Sequence, residues 1–110
     1  MDAKILEQAL TEIYNSAHAH LTCTKSKLPA EYKGFVDERF KSLDIVKNEL
    51  KKDVNYYGLK IGDSAIILKE FRIHCATRFM DILAFSTPQH ILSYGITYNE
   101  YIQSINNKQH

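Results

Sequence analysis

The sequence is 110 residues long, with 45% hydrophobic residues, 25% charged residues and a formal net charge of +1. These values are typical of one globular domain, so we predict a single domain over residues 1–110 and exclude a disordered or membrane-embedded chain. The balanced charge provides no excess of Lys and Arg with which to neutralise nucleic-acid phosphates.

The first half of the chain has the hydrophobic spacing of two long helices. Apolar residues recur at steps of three and four over residues 2–22, which predicts a first helix with Asp2 as its N-cap. A second helical pattern follows the first proline of the chain. Gly34 weakens this helix near its start by about 1 kcal/mol relative to Ala. Ser42 and Asp44 are candidate break points within it.

Residues 63–86 form the most informative segment, because one predicted helix carries apolar residues on two opposite faces. A loop is predicted before it at residues 55–62, with Asp63 or Ser64 as the N-cap. At about 100° per residue, the broad face carries Ile67, Leu68, Phe71, Cys75, Phe79, Ile82 and Phe85. The opposite face carries Ile66, Ile73, Met80 and Ala84. A helix buried on one side needs only the first set, so the second set must contact another helix or another molecule.

The C-terminal segment has strong local signals for two short helices. Thr87 and Pro88 are the N-cap and first-turn residues of a helix that ends at Gly95 in the left-handed conformation. Thr97 and Glu100 have the spacing of a capping box, in which each side chain accepts the backbone amide of the other residue. This spacing predicts the start of the last helix.

These segments together predict an all-α fold. The last helix should extend to about residue 106, with residues 107–110 frayed. Three long helices with short connections predict an antiparallel four-helix bundle, with the broken C-terminal segment as its fourth element. That segment is too short to cover the third helix, so we expect the second apolar face to be partly core and partly interface.

Histidines and a cysteine raise the question of catalysis or metal binding. His18 and His20 are two residues apart on a helix and do not share a face, so they do not chelate one ion. His74 and Arg78 have the i, i+4 spacing that suits an anion, as in a histidine phosphotransfer domain. Cys75 lies in the middle of the broad apolar face, where thiols are inert. Since no phosphate loop, nucleophile elbow or metal signature is present, we predict no enzymatic activity, cofactor or metal.

The same segments contain residue types that are enriched in protein interfaces. Arg72 and Arg78 border the broad apolar face, and tyrosines gather in the C-terminal segment. The predicted partner-binding residues are Ile66, Ile73, Met80, Tyr94, Tyr98, Tyr101, Arg72 and Arg78.

One short segment is similar to a known family. The first helix of small bacteriocin-immunity proteins resembles Gln8-Ala9-Leu10-Thr11-Glu12-Ile13-Tyr14-Asn15, which is less than a tenth of the chain. Those proteins are compact antiparallel four-helix bundles that protect a cell by binding a protein. The resemblance implies an inhibitor or immunity role.

These observations lead to a functional prediction with alternatives. The N-terminus lacks the apolar region of a signal peptide, and the two cysteines suit reduced thiols, so we expect a cytoplasmic protein. We predict a small protein-binding protein, namely an inhibitor, immunity factor or adaptor, that associates through its helices with a protein partner or with itself as a homodimer. The first alternative is a nucleic-acid-binding regulator that uses the C-terminal helical hairpin. The second is a histidine phosphotransfer domain.

Overall fold

The computed structural model describes residues 1–108, which form five α-helices. The helices are α1 (Ala3–Ser26), α2 (Lys33–Gly58), α3 (Ser64–Leu83), α4 (Pro88–Leu92) and α5 (Tyr98–Lys108), and a single 3-10 turn (Ala30–Tyr32) precedes α2. This part of the chain contains no β-strand, so the predicted all-α fold is confirmed. Within it, no helix is both long enough and apolar enough to span a lipid bilayer. The fraying predicted for residues 107–110 is not seen at residues 107–108, which belong to α5. Residues 109–110 lie outside the described residues.

The helix starts follow the capping chemistry of the sequence. The Asp2 carboxylate accepts the Lys4 amide at 2.9 Å, and the Asp63 carboxylate accepts the Ala65 amide at 2.8 Å. Each acceptor satisfies an amide that has no partner within its own helix. The first and third helices therefore begin where their capping residues predict.

The predicted break in the second helix is wrong, because α2 is continuous from Lys33 to Gly58. The Ser42 hydroxyl donates to the Glu38 carbonyl oxygen at 3.3 Å, and this bond leaves the helix intact. Asp44 points to α1 and accepts the Tyr14 hydroxyl at 2.6 Å. Because α2 extends to Gly58, the loop after it is shorter than the predicted loop at residues 55–62.

The three long helices form the body of the molecule. Between α1 and α2, Tyr14 contacts Asp44 and Lys25 contacts Asp37, so residue numbers rise along α1 as they fall along α2. The ion pairs between α2 and α3 follow the same antiparallel order. The chain thus runs up, down and up through α1, α2 and α3.

The core lies between these three helices. The large side chains that are almost fully buried are Leu6, Leu10, Leu21, Leu43, Leu50, Val36, Phe71, Phe79, Cys75 and Ile91. Burial of each large aliphatic or aromatic side chain contributes about 1.5–3 kcal/mol to stability. The broad apolar face of α3 thus packs as predicted, except at Phe85. Because α3 ends at Leu83, Phe85 lies outside the helix and is 68% exposed.

The C-terminal segment packs against the start of α2. Gly95 has a φ of +75°, and the Glu100 amide donates to the Thr97 hydroxyl at 3.3 Å, so the predicted turn and capping box are confirmed. Helix α5 contacts α2 and the 3-10 turn. Gly34 permits this contact, because a Cβ atom there would lie 2.7 Å from Cε2 of Tyr98 and closer still to two other ring carbons. The glycine that weakens α2 therefore provides the space in which α5 docks.

Candidate functional site

The second apolar face of α3 is exposed. Ile66, Ile73 and Met80 are 57%, 56% and 66% exposed, respectively. We call these three residues the α3 stripe. Their seven-residue spacing places them in one line along the helix, over about 21 Å at 1.5 Å per residue. The stripe is therefore a line of three exposed apolar side chains along the outer side of the bundle, with polar residues between them.

No other helix of the described chain covers this stripe. The opposite side of α3 carries Phe71, Cys75 and Phe79, which pack between α1 and α2. Because α5 docks at the start of α2, it leaves the outer side of α3 open. The expectation that this face is partly core is not met, since each stripe residue keeps more than half of its surface exposed.

Exposed apolar side chains concentrate around α3 in the described part of the chain. Leu59 and Ile61 in the preceding loop are 82% and 101% exposed, and Phe85 follows the helix. Six of the eleven large apolar residues that are exposed thus lie between residues 59 and 85. Scattered exposed apolar residues need no explanation, whereas a concentration of them indicates an interaction surface.

The turn after α3 presents Phe85 in an unusual conformation. Phe85 has a φ of +58°, which is costly for a residue with a bulky side chain. The adjacent Ser86 is fully buried, and its hydroxyl donates to the Leu83 carbonyl oxygen at 2.5 Å and contacts His20 Nε2 at 3.2 Å. Ser86 therefore fixes the turn, and the fixed turn keeps the Phe85 ring at the surface.

The two arginines that border the broad apolar face join α3 to its neighbours. Arg72 lies 3.4 Å from Glu12 of α1, and Arg78 forms an ion pair with Glu49 of α2. His74 contacts the Asp53 carboxylate at 2.8 Å. The anion site predicted at His74 and Arg78 is therefore filled by carboxylates of α2.

The three C-terminal tyrosines lie in an aromatic cluster that the sequence did not predict. The rings of Tyr94, Tyr98 and Tyr101 lie 5.2, 5.3 and 5.4 Å from that of Phe35. The Tyr98 hydroxyl donates to Glu38 at 2.9 Å, and this hydrogen bond raises the pKa of Tyr98. These contacts attach α4 and α5 to α2. The structure thus brings the tyrosines together with one another but not with the α3 stripe.

The cysteines differ in their surroundings. Both are free thiols, with Cys23 exposed and Cys75 fully buried. Burial, with a smaller effect of the Asp53 charge, raises the pKa of Cys75 to about 12. The Cys75 thiol is therefore protonated at neutral pH and is not a nucleophile, in agreement with its predicted place in the core.

A groove that the sequence analysis does not predict lies between α1 and α2. Its volume is about 470 Å³, and it is lined by Tyr14, His18, Thr22, Lys25, Ser26, Lys33, Phe40 and Asp44. The His18 and Phe40 rings lie 4.7 Å apart. Residues from two antiparallel helices form this groove, so the spacing within either helix alone does not reveal it.

Comparison of the chain with protein-family models, curated proteins and solved structures finds no match. The functional assignment therefore depends on the surfaces described above.

Proposed function

We propose that this protein functions through protein association, with the α3 stripe as its recognition surface and a second copy of the chain as the occupant. The observation that carries this proposal is the exposure of Ile66, Ile73 and Met80 in one line. Two free cysteines suit a reducing compartment, so we place this association in the cytoplasm.

The spacing of the stripe makes it complementary to itself. Ile66 and Met80 lie seven residues on either side of Ile73. In an antiparallel pair of α3 helices, a two-fold axis beside Ile73 places this residue against Ile73 of the second copy. Ile66 of each copy then lies opposite Met80 of the other copy. A two-fold interface of this kind uses the same patch on both subunits.

Charged residues lie beside the stripe. Lys69, Glu70 and Asp81 are exposed on the outer side of α3. In the antiparallel pair, Lys69 lies at the level of Thr77, and like charges are separated along the axis.

The test compares two variants with the same substitution on different helices. Ile73→Asp introduces a charge at the centre of the stripe. Ile45→Asp introduces the same charge on α2, at a residue of similar exposure, 60% against 56%. The change in net charge is therefore the same in both variants.

Sedimentation velocity over a range of concentrations gives the result. We expect the wild type and Ile45→Asp to approach twice the 12.7 kDa monomer mass, and Ile73→Asp to remain at 12.7 kDa. A wild-type protein that stays at the monomer mass at all concentrations contradicts self-association. A loss of the dimer in both variants contradicts the assignment of the surface to α3.

A further inference from the structure

We infer that the groove between α1 and α2 is a binding site for a small aromatic carboxylate. The groove has a volume of about 470 Å³, which lies within the range of 300–1,000 Å³ typical of ligand pockets. It lies on different helices from the α3 stripe, so this inference is independent of the proposed function.

The middle of the groove has an aromatic wall. The His18 ring lies 4.7 Å from the Phe40 ring and 5.8 Å from the Tyr14 ring. Phe40 is half-buried and packs against the core, which fixes its position. Flat apolar groups bind well against such rings, because aromatic pairs favour offset or edge-to-face contact.

One end of the groove is positively charged. Lys25 and Lys33 both line it, and Lys33 Nζ donates to the Lys25 carbonyl oxygen at 2.9 Å. Lys25 has a carboxylate partner, since it lies 2.6 Å from Asp37. Within residues 1–108, no carboxylate lies within ion-pair distance of Lys33. The Lys33 ammonium is therefore the group available to a ligand anion.

The opposite end of the groove has charges of both signs near it, because Lys47 Nζ lies 4.2 Å from the centre of the Tyr14 ring. Asp44 lies there and accepts the Tyr14 hydroxyl at 2.6 Å. Among the residues that line the groove, the carboxylate thus lies at one end and the two lysines lie at the other. A ligand anion should lie at the Lys33 end.

These positions define the chemistry of the ligand. Lys33 and Phe40 are seven residues apart on α2, or about 10 Å along the helix axis, and a lysine side chain spans much of this distance. A flat group against Phe40 can therefore carry its anionic group directly to Lys33. One available ammonium matches one negative charge, which favours a carboxylate over a doubly charged phosphate. The Thr22 and Ser26 hydroxyls line the same end.

The experiment titrates the isotopically labelled 110-residue protein with 2-naphthoate and follows backbone amide shifts by NMR. We expect saturable shifts around His18, Thr22 and Phe40, with a Kd of about 1 mM, as is typical for a ligand of this size. The neutral 2-naphthylmethanol has the same rings and should bind about threefold more weakly or worse, because it lacks the charge that contacts Lys33.

Two lysine variants test the charge contact. Lys33→Gln should weaken naphthoate binding by about threefold or more, whereas Lys41→Gln, an exposed lysine outside the groove, should leave it unchanged. Absence of saturable shifts, shifts centred on the α3 stripe, or equal binding of the acid and the alcohol would each overturn the inference. Equal affinities of the two lysine variants would also overturn it.

Discussion

Two nearby residues of α3 should respond very differently to the same substitution. Phe71 is fully buried, and its ring lies 5.1 Å from the ring of Tyr57. Ile73 is two residues away and 56% exposed. The perturbation is a change to Asp at either position, which removes the apolar side chain and introduces a carboxylate.

The expected costs follow from burial. Loss of a buried phenylalanine costs about 3–5 kcal/mol, and an unpaired carboxylate in the core adds several kcal/mol. Since a domain of this size has about 5–15 kcal/mol of stability, Phe71→Asp should be largely unfolded. For Ile73→Asp, the lost burial is less than half of about 1.5–3 kcal/mol, and the lower helix propensity of Asp adds a few tenths. The total is about 1–1.5 kcal/mol.

The assay is urea denaturation followed by circular dichroism at low protein concentration, so that association does not contribute to stability. Ile73→Asp should show a cooperative transition with an unchanged slope and a slightly lower midpoint. Phe71→Asp should lack a native baseline. If Ile73→Asp is destabilised as severely as Phe71→Asp, the stripe is buried in the folded chain and the argument fails.

Three further predictions follow from local contacts. Gly34→Ala should detach α5 by displacing Tyr98, and proteolysis should then cleave the C-terminal segment faster, although Ala is normally favoured over Gly by about 1 kcal/mol in a helix. The hydrogen bond to Asp44, assisted by burial, raises the pKa of Tyr14 to about 12, so an NMR titration of Asp44→Asn should show this pKa falling towards 10.0. A thiol reagent at pH 8 should modify one thiol of the folded protein rapidly, and Cys75 only after unfolding.

Each of these predictions has a clear contrary result. Unchanged proteolysis of Gly34→Ala would show that Tyr98 does not need the space at residue 34. An unchanged Tyr14 titration in Asp44→Asn would remove the carboxylate as the cause of the shift. Rapid modification of both thiols would show that Cys75 is accessible.

The Tyr14 shift also has a consequence for stability at high pH. The folded chain holds the Tyr14 proton to about pH 12, whereas the unfolded chain releases it near pH 10.0. The stabilisation that the protonated Tyr14 hydroxyl provides to the folded chain is therefore present in full below pH 10.0. It is lost as the pH rises from 10.0 to 12. Denaturation of Tyr14→Phe should show a smaller loss of stability over this range than the wild type does.

Much of the fold could be predicted from the sequence, because its signals are local. The caps at Asp2 and Asp63 and the capping box at Thr97 each depend on residues within four positions of one another. Gly95 likewise ends a helix through its own backbone conformation. The two faces of α3 follow from helical periodicity, which depends only on the regular turn of the helix.

The remaining features depend on contacts between distant parts of the chain. The docking of α5 requires the Tyr98 ring to lie over Gly34, which is 64 residues earlier. Asp44, a predicted break point of α2, instead accepts a hydrogen bond from Tyr14, which is 30 residues earlier on α1. The exposure of Ile73 could not be decided until the position of α5 was known. Local patterns therefore identified the stripe, but only the packing of the C-terminal segment shows that it is open.

The most direct test of the α3 interface is a pair of cysteine variants in a Cys23→Ser background, which removes the exposed native thiol. In the antiparallel pair, Ile73→Cys places two cysteines beside the two-fold axis, where a disulfide can form. In Ile66→Cys, the two cysteines are separated by about 21 Å along the axis, which is too far for a bond. We expect mild oxidation to give a covalent dimer with Ile73→Cys and a monomer with Ile66→Cys. Equal yields of covalent dimer from the two variants, or none from Ile73→Cys, would contradict this expectation.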